Sequence, residues 1–444
     1  MGDRSLTREV LKISWPMLIS ELSESLYSIA DTYFVSSLGT TALAAVGVGS
    51  YLSWLFFVVV ALFSTGVIVY VSQSYGAGEL SKARRALGEA IVYGVLTTSL
   101  VAIVVHYNSS WLVSLIAGPN PGVVAVGASY LATRILGLPV LVAAVSMDSS
   151  LRAIGATKYS MVVVLSSTFL NIVLDPLFIF GLYGFPRMGV VGAAVATVIS
   201  IVYMVPLELF FLKKTGIPPA ITVNIRFLRE GFIYRIVRIG APTALERAVF
   251  AIGNNAYIAF IARCGEVALA AHQIGIRIES FIYMPGFAFS VAASALVGQR
   301  IGAGNIDEAK RIGWEAARIA TIIMAVLGVF LAATSYYLVL PFSPTADVAQ
   351  LASIYLILAG LSEPGLALVM TLSGGIRGGG NTLVPMMLNV TGLYLFRVLP
   401  AAFLVNIYGA VGAWTAMFID VYLRGIIFLI VYRRFFRRLV KRVV

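Results

Sequence analysis

The sequence is poor in the residues that carry most enzyme and metal chemistry. Its 444 residues include one cysteine, Cys264, and two histidines, His106 and His272, too few for a disulfide framework or a His/Cys metal site. It contains neither a GxxxxGK(S/T) phosphate loop nor an HExxH pair. We therefore expect a protein that is not an enzyme, has no cofactor and does not hydrolyse ATP through a phosphate loop.

Charged residues are scarce as well. They make up 12% of the chain, against about 25% in a typical soluble domain, whereas 59% of residues are hydrophobic and the mean hydropathy is +0.94. Apolar stretches recur that are long enough to cross a bilayer as helices, and the alternation of a membrane β-barrel is absent. The sequence predicts an all-α integral membrane protein with twelve transmembrane helices, at approximately 12–37, 45–73, 87–107, 121–144, 158–181, 189–213, 235–263, 270–298, 313–339, 345–372, 382–405 and 409–432.

The basic residues indicate how these helices are oriented. Lysines and arginines crowd alternate connections and the carboxy-terminal tail, whereas the opposite loops hold only Arg187 and Arg263. The positive-inside rule then places both termini in the cytoplasm of a multi-pass plasma-membrane protein. The net charge of +12 is thus explained by topology, and no nucleic-acid partner is expected.

The chain also repeats itself. Pro16 matches Pro242 at a spacing of 226 residues, and GVVGAAVAT from Gly189 matches GAVGAWTAM from Gly409 at 220. Both copies hold six predicted spans and start on the same side, so we expect two six-helix lobes related by a pseudo-two-fold axis along the membrane normal. The predicted domains are an amino-terminal lobe (1–213), a cytoplasmic linker (214–234) and a carboxy-terminal lobe with a basic tail (235–444).

Acidic residues inside two predicted spans are the first candidates for function. Asp31 lies in an apolar first span, where a carboxylate costs about 2.5–3.5 kcal/mol and usually faces a cavity or a partner. Tyr27 precedes it by four residues on the same helical face. In the fifth span Asn171 and Asp175 are also four apart, and Pro176 frees a backbone carbonyl one turn earlier. The alternative for Asp31 is a structural aspartate held by hydroxyls of neighbouring helices.

Carboxylate, amide, hydroxyl and carbonyl oxygens suit a small hard cation such as Na⁺. Thr197, in the GAAVAT run of the sixth span, can add the hydroxyl. The same residues can instead hold a proton, because two neighbouring carboxylates in a poorly hydrated pocket cannot both stay ionised cheaply. The sequence leaves both coupling ions open.

Longer stretches resemble a known family of transporters. IADTYFVSSLG, NIVLDPLFIFG, the block LAAHQIGIRIESFIYMPGFAFSVAASALVGQRIGAGNIDEAKR, and the paired turns LRAIGAT and IRGGGNT are similar to the MATE (multidrug and toxic compound extrusion) family. The resemblance covers essentially the whole chain and is closer to the DinF-like and archaeal branches than to the NorM branch. It implies two six-helix lobes forming a V, a central cavity, and export of organic, often cationic compounds in exchange for H⁺ or Na⁺.

The resemblance also assigns roles to residues in the amino-terminal half. It implies a cation site formed by Asp31, Asn171, Asp175 and Thr197. It implies a hinge at Pro16, where the first helix would bend when Asp31 is protonated, although an early-turn proline can be merely tolerated. A pocket for lipophilic cations would be lined by aromatic and apolar residues, namely Tyr27, Tyr130, Phe34 and Met161. The alternative is that these residues only pack against other helices or contact lipid.

The second lobe does not copy these acids, since the residues aligned with Asp31 and Asp175 are Tyr257 and Pro400. A possible second acidic site contains Glu246, which resembles a glutamate of NorM-like members and has an ion pair as its alternative. It also contains Glu363, almost one turn before the position where those members place an acid.

The residues and the resemblance together predict a secondary active antiporter that works by alternating access and exports multiple lipophilic drugs. Its partners would be small organic substrates and the lipid bilayer, and the protein would be monomeric. One alternative is a flippase for a lipid-linked or other amphipathic substrate on the same fold. A second is a membrane enzyme or a scaffold without a transport cycle.

Overall fold

The computed structural model describes residues 4–118, 120–221 and 231–444, which are almost entirely helical. The α-helices in these ranges are α1 (Arg4–Ser36), α2 (Thr40–Gly76), α3 (Leu80–Tyr107), α4 (Ser109–Ala117), α5 (Pro121–Ile135), α6 (Leu138–Ala153), α7 (Thr157–Phe180), α8 (Val190–Lys214), α9 (Phe232–Ala262), α10 (Glu266–Gly302), α11 (Ile306–Val339), α12 (Ala346–Gly378), α13 (Leu383–Gly392) and α14 (Leu399–Leu439). A π-helical segment, Leu393–Val398, joins α13 to α14.

Most of these helices are suited to a bilayer. Within the described residues, eight helices are long and apolar enough to cross a membrane, and α5 with α6, bent by 48°, form a ninth candidate span. One of the eight, Leu383–Leu439, contains a kink at Gly409, where φ is 59°. It therefore corresponds to the two predicted spans 382–405 and 409–432. The helices α1 and α9, with 33 and 31 residues, are also long enough. Their acids and arginines set them apart from the apolar spans.

The sequence repeat is also a repeat of backbone conformation. Glycines adopt positive φ, which side chains disfavour, at the same point of each copy. The matched pairs are Gly39 with Gly265 (φ 103° and 101°), Gly78 with Gly304 (73° and 82°), Gly155 with Gly380 (78° and 85°) and Gly189 with Gly409 (56° and 59°). Their spacings equal those of the repeated sequence motifs, so the two halves share turn geometry as well as helix order.

The helices form two compact units whose borders fall inside helices. The amino unit is Ile19–Ala244, and the carboxy unit combines Met1–Leu18 with Leu245–Val444. Each border lies two residues beyond one of the matched prolines, Pro16 in α1 and Pro242 in α9. These borders differ from the predicted 213/214 and 234/235, because α1 and α9 each run from one unit into the other. Of the predicted linker, residues 222–230 lie outside the described part of the chain.

Contacts of the first turns of α1 explain why they belong to the carboxy unit. Thr7 Oγ1 donates a hydrogen bond of 2.6 Å to Glu315 Oε1 on α11. Arg300 near the end of α10 forms an ion pair of 2.6 Å with Glu9. Polar side chains on three helices therefore fasten the start of the chain to the second half of the sequence.

In the carboxy unit, α11 and α12 approach so closely that their backbones touch. Gly328 and Gly360 lie opposite each other, and a Cβ on either residue would overlap the carbonyl oxygen of the other. Van der Waals packing of this kind is a main source of stability between membrane helices, which gain little from the hydrophobic effect in lipid.

We expect Gly360→Ala to destabilise the protein by about 1–3 kcal/mol, because the added methyl group must push two backbones apart. The measurement is thermal unfolding of the purified protein in detergent. Gly47→Ala in α2 is the matched control, since a Cβ at Gly47 meets nothing within 4 Å. Equal effects of the two substitutions would contradict the role given to this helix crossing.

Candidate functional site

The four predicted coupling residues lie in the amino unit on three different helices. Asp31 is on α1, Asn171 and Asp175 are on α7, and Thr197 is on α8. Asp175 is fully buried, and Asn171 and Thr197 are 2% and 6% exposed. In the carboxamide orientation that satisfies its neighbours, Asn171 donates to Asp175 Oδ2 (3.1 Å) and accepts from the Thr197 backbone N–H (3.2 Å). The Asn171–Asp175 spacing thus does align amide and carboxylate, and the amide also bridges to α8.

Tyr27 joins this group from α1, one helical turn before Asp31. Its hydroxyl lies 3.1 Å from Thr197 Oγ1, and Thr197 Oγ1 in turn donates to the carbonyl of Ala193 at 3.0 Å. A threonine hydroxyl has a single hydrogen to give. Since that hydrogen goes to Ala193, Tyr27 must be the donor in its bond with Thr197. The direction of the hydrogen bonds is therefore fixed.

Asp31 and Asp175 keep unsatisfied acceptors. Asp31 Oδ1 and Asp175 Oδ1 are buried without a hydrogen-bond partner among the described residues, and the two carboxylates are near enough for their charges to interact. A buried acceptor without a donor is costly, typically about 1–3 kcal/mol and more for a charged group. Binding a proton or a small cation would remove this cost.

Arg134 is a member of the site that sequence reasoning missed. It lies in the last turn of α5, beside the bend into α6, and donates to the Tyr27 hydroxyl at 3.4 Å. Its charge interacts with those of Asp31 and Asp175. The signal was present in the sequence, because an arginine within the predicted span 121–144 carries the same cost as an intramembrane acid.

The predicted cavity residues are placed unevenly around this group. Tyr27 contacts it directly, and Phe34 packs edge-to-face on Phe180 with ring centroids 6.4 Å apart. Tyr130 is 1% exposed and belongs to the packed interior, with its hydroxyl 3.1 Å from Ser50 Oγ. Met161 precedes Asn171 by ten residues on α7, about 15 Å along the helix axis, and its place in a substrate pocket stays a prediction.

A second polar cluster, also missed, surrounds the earlier part of α1. Arg152 on α6 forms an ion pair with Asp148 (2.5 Å) and lies 4.0 Å from Glu21. Ser160 on α7 donates a short hydrogen bond to Asp148. Glu208 on α8 interacts electrostatically with this pair, is fully buried, and has no hydrogen-bond partner for either carboxylate oxygen among the described residues.

In the carboxy unit, Glu246 is an ion-pair residue. Arg377 Nη2 donates to both of its carboxylate oxygens, at 2.7 and 2.8 Å, and Asn389 Nδ2 donates to Oε1 at 2.7 Å. Its acceptors are therefore satisfied by protein donors, unlike those of Asp31 and Asp175. This geometry corresponds to the ion-pair alternative for Glu246, and it leaves the residue's part in a second acidic site a prediction.

Glu363, the other predicted residue of that second site, is 0% exposed on α12, and neither of its oxygens has a partner in the described chain. It interacts electrostatically with Glu279 on α10, which accepts a short hydrogen bond from the Tyr355 hydroxyl. Glu363 is therefore close enough to Glu279 for their charges to interact, and its part in a second acidic site stays a prediction.

The start of α1 decides between the two readings of Pro16. The helix begins at Arg4 and continues through Pro16 to Ser36, so the proline lies about three turns inside it. The early-turn alternative is wrong, because an interior proline removes a backbone hydrogen bond and leaves a carbonyl unbonded one turn earlier.

Comparison with known proteins gives consistent matches over nearly the whole chain. A family model described as MatE matches residues 16–177 and 242–403, two segments offset by the repeat spacing. The chain is 30% identical over 434 residues to the "Probable multidrug resistance protein NorM" of Thermotoga maritima, covering 95% of this chain and 90% of the relative. It is 26% identical over 431 residues to the "Multidrug resistance protein MdtK" of Yersinia pseudotuberculosis, covering 93% and 92%.

Solved structures show the same fold. The Vibrio cholerae MATE transporter VcmN in its bent form matches with a TM-score of 0.90 at 21% identity, covering 98% of both chains. An outward-facing multidrug resistance MATE family transporter matches with a TM-score of 0.89 at 22% identity. The predicted all-α membrane fold is thereby confirmed.

We expect Glu246→Gln to lower the stability of the purified protein by about 1–3 kcal/mol, because Arg377 would lose the charge of its hydrogen-bond partner. Thermal unfolding at fixed protein and detergent concentration measures the change. Glu266→Gln is the matched control, because Glu266 is exposed in the first turn of α10. A Glu246 variant as stable as the control would mean that the ion pair contributes nothing.

Proposed function

The chain belongs to the MATE family of transporters, and from this premise we propose that it is a secondary active antiporter in the cell membrane. It exports organic, often cationic, lipophilic compounds and is a transporter rather than an enzyme. Influx of H⁺ or Na⁺ drives the export. The observation that carries this proposal is one buried oxygen on each of Asp31 and Asp175 that has no hydrogen-bond partner among the described residues, within helices long enough to span the membrane.

The hydrogen bonds of the site favour H⁺ over Na⁺ as the coupling ion. A sodium ion would need several oxygen ligands beyond the two carboxylates. The Asn171 oxygen accepts from the Thr197 backbone N–H and the Thr197 hydroxyl accepts from Tyr27, so each of these oxygens has only one lone pair left for a metal ion. A proton needs only one carboxylate oxygen and leaves these bonds in place. Arg134 adds a fixed positive charge beside the carboxylates, where Na⁺ would have to sit.

Exchange follows from competition for one pair of acids. A cationic substrate is attracted while Asp31 and Asp175 are ionised, and the attraction falls when one of them takes up the coupling ion. An ion can drive the cycle only if it binds one conformation better than another. We infer that uptake of the ion at this pair releases the substrate on the outer side.

The orientation and assembly of the protein are part of the proposal. We infer from the basic loops and tail that both termini lie in the cytoplasm, as the positive-inside rule predicts. We keep a monomer as the working state, since one chain contains both repeats. The finer placement in the DinF-like and archaeal branches of the family stays a prediction.

We expect Asp31→Asn to abolish gradient-driven efflux while the protein still folds and inserts, because an amide cannot gain and lose the coupling ion. Purified protein in liposomes would export a fluorescent lipophilic cation under an imposed proton gradient and, in parallel, under a sodium gradient. On the geometry above, the proton gradient drives efflux and the sodium gradient does not.

Asp347→Asn is the matched control for this experiment, because Asp347 is an exposed aspartate at the start of α12. It should transport like the wild type. Efflux at the wild-type rate by the Asp31 variant would disprove the proposed role of Asp31. Efflux driven by sodium alone would overturn the choice of coupling ion.

The hinge at Pro16 is a separate proposal. We infer that α1 bends there, because the proline removes a backbone hydrogen bond within the helix that carries Tyr27 and Asp31. The border of the carboxy unit falls two residues later. The first turns of the helix are thus fastened to one unit, and its acidic part belongs to the other.

We expect Pro16→Ala to lower the rate of efflux about tenfold or more while raising thermal stability slightly, because alanine restores the helical hydrogen bond. Pro242→Ala is the matched comparison, since Pro242 holds the same position in a helix that lacks the Asp31 carboxylate. Equal losses in the two variants would show that bending of α1 has no special part in coupling.

A further inference from the structure

We propose that Arg134 is a specificity-determining residue that restricts the amino-unit site to substrates with at most one positive charge. This inference rests on the proposed function and names the substrate class of the same site. Lipophilic monocations and neutral amphiphiles would bind, and dications of similar shape would be rejected.

The position of Arg134 is fixed by a directed chain of hydrogen bonds. Its Nη1 donates to Tyr27 (3.4 Å), Tyr27 donates to Thr197 (3.1 Å), and Thr197 donates to the Ala193 carbonyl (3.0 Å). Each hydroxyl hydrogen is therefore committed toward α8. Tyr27 can accept from a donor on α5, and the guanidinium of Arg134 is that donor.

Arg134 acts at this site through charge and not through a direct ion pair. In the carboxy unit, Asp420 is held by Arg397 at 2.9 Å and by Arg424 at 2.6 Å, which neutralises it by contact. Arg134 bonds to a neutral hydroxyl instead, and Asp31 Oδ1 and Asp175 Oδ1 stay without hydrogen-bond partners in the described chain. The guanidinium is near enough to act on both charges but leaves the carboxylates open to a ligand.

The charge balance of the site then follows. Arginine stays protonated under all conditions in which proteins fold. With Asp31 and Asp175 ionised, the three side chains together carry one net negative charge, and one positive charge on a substrate balances it. A second positive charge would meet no uncompensated carboxylate and would be repelled by Arg134.

The size of this effect can be set by Coulomb's law. At a separation of about 8 Å and an effective dielectric constant of about 20, repulsion between two unit charges corresponds to a roughly thirtyfold loss of affinity. Removing the charge of Arg134 should therefore raise the affinity for a dication by about the same factor. The affinity for a monocation, whose charge lies at the carboxylates, should rise by less.

The test compares ethidium, a monocation, with propidium, a dication that shares its phenanthridinium ring. Binding to the purified full-length protein is measured by fluorescence titration, and efflux is measured in liposomes under a proton gradient. We expect the wild type to favour ethidium at least about tenfold. Arg134→Gln should shift the ratio of the two affinities toward propidium about tenfold or more, and Arg134→Lys should keep the wild-type ratio.

The variants separate a charge effect from a structural one. If Arg134 only supported the fold, Arg134→Gln would weaken both dyes equally and Arg134→Lys would not rescue the ratio, which would overturn the inference. Arg134→Met, with a flexible apolar chain, is a second neutral variant in case the glutamine variant does not fold. Thermal unfolding of each variant shows which are folded.

The same data distinguish failure of this inference from failure of the proposed function. An unchanged affinity ratio in Arg134→Gln, with proton-driven efflux of ethidium intact, would overturn the charge limit alone. Binding of both dyes without gradient-driven efflux would overturn the antiporter, while a shifted ratio would still support the role of Arg134. Absence of binding of either dye to the wild type would overturn both.

Discussion

The constraint on which this structure depends is the cost of a carboxylate inside a membrane-spanning helix. The molecule meets that cost in different ways. Asp420 is clamped by Arg397 and Arg424, and Glu246 is saturated by an arginine and an amide. Asp31 and Asp175 are only partly satisfied, because each keeps a buried oxygen without a donor in the described chain. An acid whose oxygens all have donors can hold helices together, whereas an acid with an oxygen that lacks a donor can still bind a proton or a cation.

The two copies of the repeat carry different side chains on a similar backbone. They share helix order and the glycine turns with positive φ, so the same backbone arrangement occurs twice. The side chains differ where chemistry is concerned. Tyr257 stands where the repeat would place a second Asp31, and its hydroxyl donates to the carbonyl of Ala413 at 2.9 Å. At this position the carboxy unit has a satisfied hydroxyl in place of an acid, which supports our proposal that the coupling site lies in the amino unit.

Much of the fold and part of the site could be predicted from sequence, for physical reasons. A helix that crosses lipid must be apolar over its length, so the spans can be recognised as apolar runs in the sequence. Helical periodicity places Asn171 and Asp175 on one face. What the sequence conceals depends on packing between helices. Which end of α1 joins which unit follows from side-chain contacts such as Thr7 with Glu315. Arg134 was overlooked although its charge, inside an apolar span, was as costly as that of Asp31.

The direction of the hydrogen bonds and the charge of Arg134 support our proposal that the coupling ion is a proton rather than a sodium ion. Thr197 gives its only hydrogen to Ala193, so Tyr27 must give its own to Thr197, and Tyr27 then accepts from Arg134. A metal ion at the two carboxylates would approach the fixed guanidinium charge of Arg134. A proton binding to Asp31 or Asp175 disturbs none of these bonds. Because the same guanidinium offsets half of the acidic charge, one residue supports both of our proposals, the proton as coupling ion and the limit on the charge of the substrate.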